Sequence, residues 1–300
     1  MTLVLPTADW PLATTIAALG LCALTAWILA YAYPRLRETT LISAWWWALA
    51  ATAGLAGCSL LSVNLGSPES DLLDASRFAA AALTFCPIVS VLGSKRPQHK
   101  AWNFIVLSLW VVVTLPAGEM LLLQRGQGLE VNDARGWFLW ILLVLLPVNY
   151  VPTRYWFACL AVTCGQFLLL SEHLPLVRGK VNQVELISIS LVTIAAWSAL
   201  VVSRRPAAGA SRFDRVWLDF RDSFGLLWGL RVAERVNTAA KQLEWPIELR
   251  WQGFRNFEGG ESIGEVPSEV HRPLKQTLSG LLRRFVSSSW ITKRSAGDVD

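Results

Sequence analysis

The chain has 300 residues, of which 53% are hydrophobic and only 16% are charged. A soluble domain usually carries about 25% charged residues, so this composition indicates that lipid, and not water, is the main solvent. The formal net charge is +5, but residues 206–300 hold 14 Lys and Arg against 12 Asp and Glu, which excludes a large basic surface for nucleic acid.

Seven apolar stretches follow one another in the first 205 residues. They cover residues 12–33, 41–65, 78–92, 102–123, 137–151, 155–170 and 186–202. The first, second and fourth have the roughly 20 residues that a hydrocarbon core of about 30 Å requires, whereas the third, fifth and sixth are nearer 15. The fifth and sixth form either a hairpin that spans or one that dips in and returns, and without them the count is five.

The loops between these stretches alternate in charge, which predicts their orientation. One set holds the cations Arg35, Arg37, Lys95, Arg96, Lys100, Arg154, Arg204 and Arg205. The other set holds most of the acids, among them Glu69, Asp71, Asp74, Glu130, Asp133, Glu172 and Glu185. By the positive-inside rule the first set is cytoplasmic. The sequence therefore predicts an all-α polytopic protein of the bacterial plasma (inner) membrane, with about seven transmembrane helices, the N-terminus outside and the C-terminus cytoplasmic.

Three polar residues inside the apolar stretches are candidate functional residues, because a charge at the bilayer centre costs about 2.5 kcal/mol or more. Glu119 is expected near the outer interface. It either snorkels or pairs with a nearby arginine, or it forms a proton- or cation-linked site beside the kink that Pro116 should cause. Asn149 and Gln166 are interpreted as hydrogen-bond partners between helices, with ligand contact as the alternative.

Small residues in the second stretch predict close helix packing. Ala50, Ala53, Gly54 and Gly57 share one face at small-xxx-small spacing, which lets another helix approach closely. The partner is either a helix of the same bundle or a second copy of the chain, so a homo-oligomer is one of the predicted arrangements.

The prolines and the absence of catalytic motifs limit the functions that the sequence allows. Pro87, Pro116 and Pro147 interrupt three stretches, and interrupted helices line the binding sites of some transporters, but no internal repeat relates the two halves of the chain. The three histidines lie in loops or in the tail, and no metalloprotease, serine-hydrolase or Walker motif occurs. No catalytic residue, metal site or cofactor is predicted.

The rest of the chain divides into a linker at 206–212, a cytosolic amphipathic-helix region at 213–292 and a disordered tail at 293–300, after a bundle at 1–205. Apolar residues recur at spacings of three and four from residue 213 to residue 243, which predicts one helix of about eight turns. Trp217, Phe220, Phe224 and Trp228 form the centre of its apolar stripe. This interaction face is expected to lie on lipid headgroups or on a protein surface.

Two weaker elements follow in the C-terminal region. Residues 247–251 alternate apolar and polar side chains, which predicts a half-buried strand and at most one short hairpin. A second amphipathic helix is expected to start near Pro273, since proline suits a first helical turn. The core of these elements is small, and lipid or a partner is expected to complete it.

Two functions of different classes fit these patterns. The first is a non-enzymatic membrane scaffold or sensor-like component that reaches a cytosolic or membrane protein partner through the juxtamembrane helix. The alternative is a small-molecule or lipid transporter, or a subunit of one. The lipid bilayer is a predicted partner of either, and nucleic acid of neither.

Overall fold

A computed structural model of the chain describes residues 10–65, 70–123, 126, 128–129, 131–177, 184–205, 211–257 and 266–295. In this part of the chain the helices are α1 (Trp10–Leu36), α2 (Ile42–Leu65), α3 (Asp71–Leu83), α4 (Cys86–Leu92), α5 (His99–Leu123), α6 (Asp133–Val148), α7 (Trp156–Leu170), α8 (Val184–Arg204), α9 (Arg212–Gln242), α10 (Ser268–Leu282) and α11 (Ser288–Ser295). One antiparallel hairpin, β1 (Ile247–Arg250) and β2 (Gly253–Asn256), lies between α9 and α10. We call α1 to α8 the bundle and residues 211–295 the C-terminal region.

The chain is an all-α, multi-pass membrane protein. Among the described residues, five segments are long and apolar enough to cross a membrane: Leu12–Leu36, Ile42–Asn64, Asp71–Leu92, His99–Leu123 and Val184–Arg204. The predicted fifth and sixth spans correspond to α6 and α7, which have 16 and 15 residues and so fall short of the usual length. Five spans therefore have the required length, against the seven predicted.

The third predicted stretch, 78–92, is two helices with a break at Thr84 and Phe85. Pro87 stands in the first turn of α4, where its missing N–H and its ring prevent α3 from continuing. The side chain of Gln166, from α7, donates a hydrogen bond of 3.0 Å to the Thr84 carbonyl that the break frees. A polar side chain thus supplies a hydrogen-bond donor to the backbone carbonyl at a helix break inside the bundle.

The long helix predicted in the C-terminal region is also interrupted. Ser211 and Asp214 form a capping box at the start of α9, so the helix begins with its first N–H groups satisfied. At Gly225 the backbone leaves helical geometry, with φ 80° and ψ −172°. The apolar spacing runs unchanged across this point, which is why the sequence predicts one continuous helix.

The other C-terminal elements differ from the prediction at their ends. The strand predicted at 247–251 is β1 of the hairpin, and α10 starts at Ser268, so Pro273 lies inside the helix and not in its first turn. Helix α11 includes residues 293–295 of the predicted disordered tail, and residues 296–300 lie outside the described part of the chain. In the predicted linker, residues 206–210 are likewise outside the description, whereas Ser211 and Arg212 already belong to the start of α9.

The core of the C-terminal region extends into the bundle. Most of its buried side chains come from α9, the hairpin, α10 and α11, but Leu41 and Val91 belong to the bundle, and Tyr150 packs against the same cluster. Lipid or a partner was expected to complete this small core. The structure completes it with one end of the bundle, which we call the junction end.

Candidate functional site at the junction of the bundle and the C-terminal region

The four residues of the predicted interaction face are buried inside the chain itself. Trp217, Phe220 and Phe224 are 0% exposed and Trp228 is 6% exposed. Phe285, in the loop between α10 and α11, meets Phe220, Phe224 and Trp228 edge-on, with ring centroids 5.2, 5.3 and 4.9 Å apart. The face was predicted to lie on lipid headgroups or on a protein surface, and in the structure the chain's own Phe285 packs on it.

The two tryptophans of the face donate hydrogen bonds from their indole N–H groups to backbone carbonyls. Trp217 donates to the carbonyl of Arg250 in the hairpin at 3.1 Å. Trp228 donates to the carbonyl of Val91 at the end of α4 at 3.0 Å. A buried indole N–H requires such an acceptor. One helix therefore holds the hairpin on one side and the bundle on the other.

The break in α9 is filled by Asn149, which follows α6. The Leu226 N–H donates to the Asn149 backbone carbonyl at 2.8 Å, and the Leu227 N–H donates to its side-chain Oδ1 at 3.0 Å. The Asn149 amide nitrogen lies 3.5 Å from the Phe224 carbonyl on the other side of the break. Because the first N–H groups of a helix need acceptors, Asn149 acts as an N-cap supplied from outside the helix.

Gly225 makes this contact possible. Its φ of 80° lies in the left-handed half of the backbone map, and with a ψ of −172° the conformation is essentially restricted to glycine. A Cβ atom at this position would lie 2.3 Å from Nδ2 and 2.6 Å from the backbone oxygen of Asn149. The side chain of any other residue would occupy the space of the Asn149 amide.

The loop between α6 and α7, residues 149–155, makes two further contacts with the C-terminal region. The Tyr150 hydroxyl donates to the Ser223 carbonyl at 3.0 Å. In the reverse direction, the Trp251 indole N–H of the hairpin donates to the Pro152 carbonyl at 3.0 Å. One donor from the loop and one from the hairpin thus fix the position of this loop against α9 and the hairpin.

Arginine and aspartate side chains form a charged network beside the break. Arg154 of the α6–α7 loop contacts Asp219 at 2.8 Å and Asp222 at 3.3 Å. Arg294 of α11 contacts Asp219 at 2.8 Å, and Arg221 contacts Asp222 at 2.6 Å. Burial raises the pKa of Asp222, which is 2% exposed, although the neighbouring Arg221 and Arg154 act in the opposite direction. Loss of its arginine partners would leave the buried Asp222 with an uncompensated charge, so this partly buried network favours a single arrangement of loop, α9 and α11.

Two more loops of the bundle bind the loop between α10 and α11. Three backbone hydrogen bonds of 2.8 Å make this contact, from Thr40 to Phe285, from Ser287 to Glu38 and from Arg96 to Arg284. The Lys293 ammonium of α11 adds an ion pair of 2.7 Å with Glu38, and its hydrogen bond lowers the pKa of that carboxyl. All three bundle loops at the junction belong to the cation-rich set of the sequence.

The three polar candidates of the sequence are not brought together. Asn149 lies at the junction and Gln166 at the α3–α4 break, where it is 1% exposed. Glu119 accepts two hydrogen bonds of 2.9 and 3.0 Å from the Arg135 guanidinium, and both side chains are more than one third exposed. It lies about 30 Å along α5 from the junction end, at 1.5 Å per residue.

The small-residue face of α2 is only partly used in packing. Gly54 faces α3, where a Cβ atom would lie 3.4 Å from the Leu83 side chain. Ala50, Ala53 and Gly57 are exposed. The homo-oligomer therefore stays a prediction.

The residues that assemble the junction were only partly predicted, since Gly225 and Phe285 were not among the candidates. The signal for Gly225 is weak, because a single glycine in a helical pattern is usually tolerated. Phe285 follows the end of α10, and no local pattern in the sequence marks it as the residue that packs on the stripe of α9. Comparisons of the chain with protein-family models, with curated proteins and with solved structures found no match.

Proposed function

We propose that this protein is a non-enzymatic, sensor-like membrane component whose C-terminal region responds to movements of the bundle. One observation carries the proposal. Asn149, a residue of the bundle, caps a helix of the C-terminal region at its break. Packed interfaces change between discrete arrangements and do not deform continuously, so a shift of α6 or α7 would be passed to α9.

The sidedness of the protein forms part of the proposal. The loops that contact the C-terminal region contain Arg37, Lys95, Arg96 and Arg154, and Arg35 lies in the last turn of α1 before them, which favours a cytosolic position for the junction end. With the N-terminus outside, the protein would lie in a plasma membrane, the inner membrane of a bacterium.

The short helices α6 and α7 fit a seven-span arrangement. Helix α6 begins beside the Arg135 to Glu119 pair, far from the junction, and ends next to Asn149 at the junction, so its ends lie at opposite ends of the bundle. Large apolar side chains are exposed on its surface, among them Trp137, Ile141, Val144 and Leu145. These observations support two short helices that cross the bilayer with α1, α2, α5, α8 and the α3–α4 pair.

Limited proteolysis of the full chain in lipid nanodiscs tests the coupling. Asn149→Ala removes the side-chain cap, and we expect faster cleavage within residues 211–257 while the bundle stays intact. Asn64→Ala is the matched control, because Asn64 is exposed and bonds only within α2 among the described residues. Equal cleavage rates for the two variants would show that the cap does not couple the two parts.

Transport is the second candidate function. The break between α3 and α4 favours it, since interrupted helices line the sites of some transporters. A proton- or cation-dependent current across proteoliposomes would support transport, provided that it disappears in Gln166→Leu, which removes the donor to the Thr84 carbonyl.

A further inference from the structure

Two arginines of the bundle meet at one tyrosine ring at the junction end. The guanidinium carbon of Arg204, in the last turn of α8, lies 4.9 Å from the centroid of the Tyr31 ring. The guanidinium carbon of Arg35, in the last turn of α1, lies 5.9 Å from the same centroid. The two cations are therefore neighbours although like charges repel, and contacts between a cation and an aromatic ring are weak at exposed positions.

Neither arginine has an acidic partner in the described part of the chain. The acids nearest to this end are already used, since Glu38 pairs with Lys293 at 2.7 Å and Asp219 pairs with two other arginines, each at 2.8 Å. The linker at 206–210, which follows α8 directly, contains no acid. The described residues thus bring two positive charges together and supply no negative charge to balance them.

Most hydrogen-bond donors of the two arginines are also left for a ligand. A guanidinium has five N–H donors. Among the described residues Arg35 donates one hydrogen bond from its side chain, to the Ser203 hydroxyl at 3.2 Å, and Arg204 donates none. Both side chains are exposed. The planar fork of a guanidinium matches the oxygens of a phosphate group, so the pair is suited to a phosphate that lies between α1 and α8.

The two helices that carry the arginines run side by side. The hydroxyls of Thr25 and Thr193 are hydrogen-bonded at 2.9 Å, and the bond from Arg35 to Ser203 lies the same number of residues further along each helix. Helices α1 and α8 therefore point in the same direction and stay in contact between these two bonds. Their last turns bring both guanidinium groups to the same surface of the membrane.

An exposed apolar surface leads from the arginines toward the interior of the membrane. On each of the two helices, large apolar side chains recur with helical periodicity before the arginine, which places them on the arginine's face. The exposed ones are Leu24, Trp27 and Tyr31 on α1 and Ile194 and Trp197 on α8. The Trp27 and Tyr31 rings also contact each other, with centroids 6.0 Å apart. Charge at the membrane surface and apolar side chains beneath it match the two parts of a phospholipid.

We propose that Arg35 and Arg204 bind the headgroup phosphate of an anionic phospholipid, one acyl chain of which lies along the exposed faces of α1 and α8. The phosphate supplies the negative charge that the described residues lack here. Phosphatidylglycerol fits this site better than phosphatidylethanolamine, whose ammonium group would lie beside two arginines. Basic pockets between membrane helices bind anionic headgroups in this way. The inference goes beyond the sensor-like function and does not depend on it.

Native mass spectrometry of the full chain tests the site. The protein is released from nanodiscs that contain equal amounts of phosphatidylglycerol and phosphatidylethanolamine, and the retained lipids are identified by mass. We expect the parent to retain phosphatidylglycerol in preference to phosphatidylethanolamine. Arg35→Gln and Arg204→Gln each remove one charge-assisted contact, and each should weaken this preference about tenfold. Both arginines are exposed and make no ion pair with a described residue, so neither change should unfold the bundle.

Matched controls separate this site from a general attraction to lipid. Lys100→Gln removes one exposed cation from the start of α5, at the same end of the bundle, and should retain lipid like the parent. Trp27→Ala tests the apolar part of the site and should weaken retention of phosphatidylglycerol several-fold. Trp46→Ala, at an exposed tryptophan of α2, is its control and should behave like the parent.

Three results would overturn the proposal. The first is equal retention of the two lipids by the parent. The second is a loss of preference in Lys100→Gln as large as that in Arg204→Gln, which would show that only the overall charge of this end attracts lipid. The third is equal retention by Trp27→Ala and Trp46→Ala, which would show that the phosphate is bound without an acyl chain along α1.

Discussion

Replacing Gly225 by alanine should separate the C-terminal region from the bundle. A non-glycine residue in this backbone conformation costs about 1 to 3 kcal/mol. The new Cβ atom would lie 2.3 Å from Nδ2 and 2.6 Å from the backbone oxygen of Asn149, and overpacking of this kind costs a further 1 to 3 kcal/mol or so. The total of about 2 to 6 kcal/mol is a large part of the roughly 5 to 15 kcal/mol that stabilises a typical domain.

Limited proteolysis in nanodiscs at rising temperature measures this loss, because cleavage within residues 211–257 requires the junction to open. The Gly225→Ala protein should lose the junction at a lower temperature than the parent. Gly280→Ala is the matched control: among the described residues no heavy atom lies within 4 Å of the new Cβ, and alanine suits helix α10 better than glycine. Equal unfolding temperatures for the two variants would refute the assignment of the break as a tight contact.

Three other changes test separate parts of the account. Phe285→Ala removes a ring that is 3% exposed and contacts three aromatic side chains of α9. We expect the free energy of unfolding, measured in urea, to fall by about 3 to 5 kcal/mol. A smaller decrease than that caused by Leu243→Ala, at an exposed position, would count against this packing. Arg154→Ala should lower the unfolding temperature most at neutral pH and less in acid. Burial raises the pKa of Asp222 above its unfolded value, so as the pH falls through the folded pKa this carboxyl becomes neutral and no longer needs the arginine; a penalty independent of pH would contradict this. Glu119→Gln should insert and unfold like the parent, since its ion pair with Arg135 is exposed, and loss of a pH-dependent current in this variant would favour transport instead.

The bundle helices were predictable because their signal is local. Stretches 12–33, 41–65, 102–123 and 186–202 correspond to α1, α2, α5 and α8 with ends displaced by three residues at most. An apolar run of this length is read directly from the sequence, since its cause is the thickness of the bilayer.

The junction was not predictable in the same way because its determinants are far apart in the chain. The spacing of apolar residues in α9 is the same with or without a break, and the break depends on Asn149, which lies on another element. The stripe of α9 was predicted as an interaction face, but nothing local to it identifies Phe285 as the residue that packs on it. Periodicity shows that a face is covered and does not show what covers it.

Asn149 of the bundle caps α9 at its break. Hydrogen exchange of the full chain in nanodiscs, measured at the Leu226 and Leu227 amides, tests it most directly because both amides donate to Asn149. We expect the two amides to be protected in the parent, and the Leu227 amide to lose its protection in Asn149→Ala. Rapid exchange of both amides in the parent, or full protection of Leu227 in the variant, would contradict it.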